Sequence, residues 1–156
     1  MGGDIVLKMV HSMKELPFGQ LMQIYGERYD VVSQQDFYDY LRQCFFQADG
    51  AMYALWLEDD QAVSALRLEP WRDGLLLTGL ETAPDRRNRG YAICLLRAVL
   101  DWQRGQENVR VYSHIHKQNM ASIRVHEKCG FCRISDCACY LDGSVDRRAA
   151  TYLWEL

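Results

Sequence analysis

Arg87-Asn88-Arg89-Gly90-Tyr91-Ala92 decides the reading of this chain. The stretch follows an apolar run of strand character, Leu75 to Thr82, and a Pro84-Asp85 break, and it opens an apolar helical segment from Ala92 to Trp102. Amides in the first turn of a helix lack intrahelical acceptors, and the helix dipole makes that end attractive to anions. Gly90 has no side chain, so a ligand can come close to the backbone there. Arg87 and Arg89 can pair with phosphate through parallel hydrogen bonds. A glycine with basic neighbours, set between a strand end and a helix start, therefore reads as a cradle for a diphosphate.

Outward from the loop, periodicity assigns the remaining elements. Upstream, Asp4 to Val10 alternates apolar and polar residues and reads as a first strand. Pro17 to Tyr29 has helical spacing at Leu21, Ile24 and Tyr25, and Ser33 is placed to cap a second helix from Gln34 to Gln47. Ala51 to Leu57 and Val63 to Leu68 read as strands paired around Asp59-Asp60-Gln61, and Arg72-Asp73-Gly74 turns the chain into Leu75 to Thr82. Downstream, Val109 to Ile115 alternates again. Asn119 can cap the next helix, which Gly130 can end in the left-handed conformation with Phe131 folded back as the apolar contact. Phe131 to Tyr140 and Ala149 to Trp154 read as a final hairpin around Asp142-Gly143. The order predicts an α/β (α+β) fold: one domain over residues 1–156, with a central mixed β-sheet of about six to seven strands and about four helices on its faces.

Composition bounds the partners. The chain has 156 residues, 49% hydrophobic and 25% charged, with a net charge of −3. Such a chain can bury a core, and its charge disfavours nucleic acid or an anionic membrane as principal partner. Its longest apolar runs are too short to span a bilayer, and Met1-Gly2-Gly3-Asp4 does not open a secretory signal. A cytoplasmic location is expected. Four cysteines, Cys129, Cys132, Cys137 and Cys139, fall within a short segment. Their spacing would force the segment to fold back on itself around one metal, so buried thiols in a reducing compartment are expected and no metal is. Exposed sheet edges are compatible with a homodimer.

A second motif lies one strand beyond the loop: Asn119-Met120-Ala121-Ser122-Ile123-Arg124-Val125-His126-Glu127-Lys128-Cys129-Gly130-Phe131. With Arg87-x-x-Gly90-x-Ala92 and the preceding Leu80-Glu81-Thr82-Ala83-Pro84, it resembles the GNAT acetyltransferase superfamily over Leu75 to Phe131. The resemblance implies a GNAT-like fold that binds acetyl-CoA where two parallel central strands, here Leu75–Thr82 and Val109–Ile115, splay apart, a divergence that a β-bulge commonly produces. It implies pantetheine paired with backbone near Leu80 and Thr82, and a pyrophosphate held by the amides of Arg87, Asn88, Arg89, Gly90, Tyr91 and Ala92. It also implies that Asn119 reaches the pantetheine and that the acyl group passes directly to a primary amine of a small molecule or peptide.

That chemistry needs a base for the amine, a polarised carbonyl and a route for the departing thiolate. Glu81 is the first candidate base, since alternation turns its carboxylate to the face opposite Leu80 and Thr82; a salt bridge, for instance to Arg86, is the bland alternative. His114, on a strand face with Tyr112 and His116, is the second. His126 stands where many family members carry a tyrosine that protonates the leaving sulfur. Imidazole is shorter, and its reference pKa is about 6.5 rather than about 10. Packing against the cofactor is the alternative role for His126. Lys117 and Arg86 are placed to meet the outer phosphates, and Asp36, Asp39 and Glu58 to attract a cationic amine. The alternative to an acetyl-CoA-dependent N-acetyltransferase is a catalytically silent acyl-CoA-binding sensor or interaction module.

Overall fold

A computed structural model describes residues 3–26, 31–106 and 109–156. Strands β1 (Ile5–Val10), β2 (Met52–Glu58), β3 (Gln61–Trp71) and β4 (Gly74–Thr82) pair antiparallel in that spatial order. Their turns have the predicted chemistry. Asp59 and Asp60 close β2 onto β3 at φ 51° and 64°, and Arg72 at φ 52° precedes Gly74 between β3 and β4. Asp tolerates this left-handed region better than most residues.

The chain then crosses over. Helix α3 (Tyr91–Arg104) carries it to β5 (Arg110–His116), which lies parallel to β4. Helix α4 (Met120–Lys128) leads to β6 (Cys132–Ser135), and β9 (Ala149–Glu155) inserts between β5 and β6. The result is a seven-stranded mixed sheet in the order β1-β2-β3-β4-β5-β9-β6. The single parallel junction among the described residues, β4 with β5, is where the fold opens.

Helices cover both faces. On one, α3 presents Leu95, Leu96, Val99 and Leu100 at helical spacing, and α4 presents Ile123; they pack on Leu66, Leu68, Leu77 and Val111. Each such side chain contributes about 1.5–3 kcal/mol on full burial. On the other face, α1 (Phe18–Tyr25) and α2 (Val31–Gln43) pack Leu21, Ile24, Tyr25, Phe37 and Leu41 against Tyr53, Leu55 and Ala65.

Three expectations are corrected. Helix α2 stops at Gln43, and a separate 3-10 turn, Phe45–Gln47, inserts Phe45 beneath Tyr53 with ring centroids 6.1 Å apart. The final hairpin is split in two. β6 pairs with β9 in the main sheet, while β7 (Ala138–Cys139) and β8 (Val145–Asp146) make a small sheet of their own around Asp142-Gly143. None of the six cysteines is fully buried; Cys44, Cys94 and Cys132 are exposed. Helix α1 ends at Tyr25, followed by Gly26 at φ 55°, and the rest of the predicted span to Tyr29 lies outside the described residues.

Candidate active site

Parallel pairing of β4 with β5 runs only from Leu75 opposite Val111 to Leu77 opposite Ser113. Beyond it the strands part, and a β-bulge coincides with the parting. β4 advances three residues, Thr78 to Glu81, while β3 advances two, Arg67 to Ala65. Gly79 occupies the bulge at φ 66°, and its carbonyl accepts a hydrogen bond of 3.1 Å from the Tyr25 hydroxyl. That hydroxyl also contacts the hydroxyl of Tyr53, so α1 and β2 both brace the bulge.

The parting leads into a cleft of about 610 Å³. Leu80, Glu81 and Thr82 form one wall, Arg86, Arg87, Asn88, Gly90, Tyr91, Ala92 and Ile93 the floor, and Asn119, Ala121, Ser122, Arg124, Val125 and Lys128 the other wall. The loop that opens α3 bends through two left-handed residues, Asn88 at φ 63° and Gly90 at φ 82°. Gly90 is the N-cap of α3 and supplies no side-chain cap; the first turn holds no acidic residue, and the first helical bond is Cys94 N–H to the Gly90 carbonyl at 3.0 Å. The end of a helix 14 residues long therefore offers uncapped amides to the cleft. Nothing lies within 4 Å of where a Gly90 side chain would begin, which leaves the approach open.

Charge at the mouth is mostly positive: Arg86, Arg87, Arg124 and Lys128 against Glu81. Arg86 is tied down, donating to Glu58, which also accepts from the Tyr91 hydroxyl at 2.8 Å. Thus Glu58, one of the acids expected to meet an amine, instead ties down Arg86 and Tyr91 in the loop that opens α3. Asp39, another, takes a hydrogen bond of 3.1 Å from Gln35 and lies 3.8 Å from Arg42. Asp36 is exposed on α2.

Of the residues singled out in the sequence, Leu80, Glu81, Thr82, Arg87, Asn88, Gly90, Tyr91, Ala92 and Asn119 line one cleft; Arg89 and Lys117 do not. Asn119 caps α4 by accepting from Ser122 N–H at 3.2 Å, which leaves its Nδ2 group as a donor. The Glu81 side chain is 14% exposed and lies 3.5 Å from Arg87, not Arg86 as expected of its ion pair. Its backbone carbonyl is held by the Ser64 hydroxyl at 2.7 Å. Sequence reasoning passed over Arg124 and Lys128, one helical turn apart on α4. Their signal was that spacing, on the helix that Asn119 opens.

The two histidines lie away from the cleft lining. His126 is 1% exposed. Its Nδ1 donates to the Ser122 carbonyl at 2.8 Å, so Nε2 is the acceptor for the Ser113 hydroxyl at 3.0 Å, and its ring meets Phe131 edge-on. Burial lowers its pKa, only partly opposed by the Ser122 carbonyl. His114 sits on the α1–α2 face between the edges of Trp71 and Tyr140, with centroids 5.2 and 5.1 Å away. Burial and then the nearby Arg72 lower its pKa, and its Nε2 has no hydrogen-bond partner among the described residues. Among the described residues no three His, Cys, Asp or Glu side chains converge as a metal site requires.

Residues 18–131, which hold the cleft and both its motifs, match the model of the Acetyltransferase (GNAT) family. The chain belongs to the GNAT family. It is an acetyltransferase of the GNAT type. Solved GNAT structures share its fold. The ribosomal-protein-S18-alanine N-acetyltransferase of Escherichia coli superposes with a TM-score of 0.69 at 15% identity, covering 96% of this chain and 92% of that one. PaiA N-acetyltransferase of Thermoplasma acidophilum, solved in complex with coenzyme A, gives 0.69 at 11% identity over 98% and 99%. A spermidine N-acetyltransferase chimera from Vibrio cholerae and hSSAT gives 0.69 at 13% over 96% and 93%. No curated protein matches the sequence. In this GNAT chain no helix among the described residues is long and apolar enough to cross a membrane.

Proposed function

We propose that residues 1–156 act as one acetyltransferase domain that moves an acetyl group from acetyl-CoA to a primary amine of a small molecule or peptide by direct attack. The observation that carries this reading is the cleft itself. It joins uncapped helix amides, four basic side chains and an unpaired strand edge in one continuous space. A diphosphate fits the first two. The amides of Arg87 to Ala92 would hold it, with Arg89 contributing its backbone although its side chain is off the lining. The β4 edge at Leu80 and Thr82 suits a pantetheine arm, which carries amides of its own, and Asn119 Nδ2 suits the same arm.

Bound acetyl-CoA supplies the activated acyl group. The chain supplies position and proton management. A backbone N–H at the bulge polarises the carbonyl, and the confined cleft sets the amine against it. Glu81 accepts the amine's proton. It lines the cleft, and its register partner Ala65 packs on the α1–α2 side, where an acceptor would enter. His114 starts on that same face and is the second candidate. His126 has both nitrogens engaged in the interior and serves better as a packing residue behind the cleft than as the acid for the thiolate, whose proton then comes from water.

A thiol-release assay with acetyl-CoA and a panel of primary amines tests the proposal. Amine-dependent release, abolished when CoA analogues fill the cleft, is expected. Tight CoA affinity without turnover on any amine would overturn the proposed transfer to an amine and favour an acyl-CoA sensor.

A further inference from the structure

Arg67 belongs to none of the sequence motifs, yet it sits at the point where the sheet opens. Its guanidinium lies beside the β4 bulge: a methyl group placed on Gly79 would stand 3.4 Å from both Nε and Nη2. Nε donates to the Thr78 hydroxyl at 3.2 Å. The guanidinium carbon is 5.3 Å from the centre of the Phe37 ring, and 5.9 Å from those of Tyr40 and Phe45. The residue is half-buried, and no carboxylate among the described residues forms an ion pair with it. Glu69, two residues along the same strand face, is also outside ion-pair distance; burial pushes its carboxyl toward the neutral form, and the charge of Arg67 only partly opposes this. A guanidinium fixed by aromatic rings and a hydroxyl, partly desolvated and outside salt-bridge distance of the carboxylates among the described residues, is a strong site for a planar anion.

Its location says which anion. Arg67 pairs across from Thr78, and Glu81 across from Ala65, so both side chains start on the α1–α2 face of the sheet, away from α3 and α4. Gly79 and Glu81 are two strand residues apart, a span of about 7 Å. We propose that Arg67 is the anion-binding residue of the acceptor site, and that the acceptor is a small amine carrying a carboxylate, held by Arg67 while its amino group faces Glu81. This rests on the reading of the cleft as the thioester site. It also agrees with the placement of Glu58 and Asp39, which are engaged elsewhere and leave a positive charge beside the bulge.

The test pairs each proteinogenic amino acid with its decarboxylated amine. Binding to the CoA-saturated protein is measured by calorimetry and turnover by acetyl-CoA consumption. At least one amino acid should bind, and exceed its amine by about tenfold or more in kcat/KM, which corresponds to about 1.4 kcal/mol. Arg67→Met should raise KM for the amino acid until the preference falls to about twofold or less, and Arg67→Lys should keep part of it. Both variants should retain CoA affinity, which reports an intact fold. A wild-type preference for amines without a carboxylate, no binding by any amino acid, or a preference surviving in Arg67→Met would overturn the proposal. The wild-type comparison decides even if a variant fails to fold. Turnover without carboxylate preference would sink this site and leave the enzyme reading standing. Carboxylate-dependent binding without turnover would do the reverse.

Discussion

The Glu81 carboxylate lies 3.5 Å from the guanidinium of Arg87. One pair thus links the proposed base to the loop proposed to hold the diphosphate. Arg87 is half exposed and also donates to the Thr82 carbonyl at 3.3 Å, whereas the Glu81 side chain is 14% exposed, so turning the guanidinium to a phosphate would weaken its hold on a largely buried carboxylate.

Glu81→Gln is expected to lower turnover by about 10²–10⁴-fold, the range of a positioned acid–base group. CoA should bind at least as tightly as before, because Arg87 loses a competing carboxylate. Steady-state kinetics with calorimetric CoA titration checks both halves. Unchanged turnover would remove Glu81 from the mechanism.

Arg87→Ala is expected to lower folding stability by about 1–3 kcal/mol, because it removes a partner from a carboxylate that is only 14% exposed. CoA affinity should fall about tenfold, or about 1.4 kcal/mol, with a weaker dependence on salt than in the wild type. Urea denaturation and titrations at two ionic strengths measure these effects. Equal CoA affinity in the two proteins would place the diphosphate elsewhere.

His126 should make stability depend on pH. Burial holds its pKa below the ordinary value near 6.5. Above that pH the ring is neutral whether the chain is folded or not. As pH falls below about 6.5 the unfolded chain takes up a proton that the folded one refuses, so stability declines toward the folded pKa. His114 is shifted the same way and adds to the decline. Denaturation curves between pH 7 and 5 should show His126→Gln with a shallower acid-side loss than the wild type. An identical slope would contradict the assignment of His126 as a buried neutral ring.

Gly79 and Gly90 separate shape from function. Gly79→Ala strains a backbone at φ 66° and places a methyl 3.2 Å from the Tyr25 hydroxyl, so it should cost about 1–3 kcal/mol in stability. Gly90→Ala strains φ 82° in open space and should cost less, while weakening CoA binding by narrowing the cradle. A thermal shift series with and without CoA distinguishes the two patterns. A Gly90 variant with normal CoA affinity would contradict the cradle.

Where the sequence was legible, local chemistry and tertiary role coincide. Asn119 caps α4, and Gly130 ends it at φ 97° with Phe131 buried, because cap and glycine preferences are set within one turn of chain. The place of Arg87–Ala92 between the end of β4 and the start of α3 was readable for the same reason. The split of the last hairpin was not, since β6 pairs with β9 in the main sheet while β7 pairs with β8 instead, a division between partners that no local pattern records. Arg67 was invisible too. On β3 it reads as an ordinary alternating polar residue, and only the bulge at Gly79 and the rings from α2 and the Phe45 turn give it a role. Glu58 was misread because its partners Arg86 and Tyr91 lie 28 and 33 residues away.

Titrating coenzyme A into the purified protein by calorimetry, beside Gly90→Ala and Arg87→Ala, tests the central claim most directly. The account predicts saturable binding at one site per chain, weakened in both variants. No detectable heat of binding in the wild-type protein, or equal affinity in all three, would contradict it.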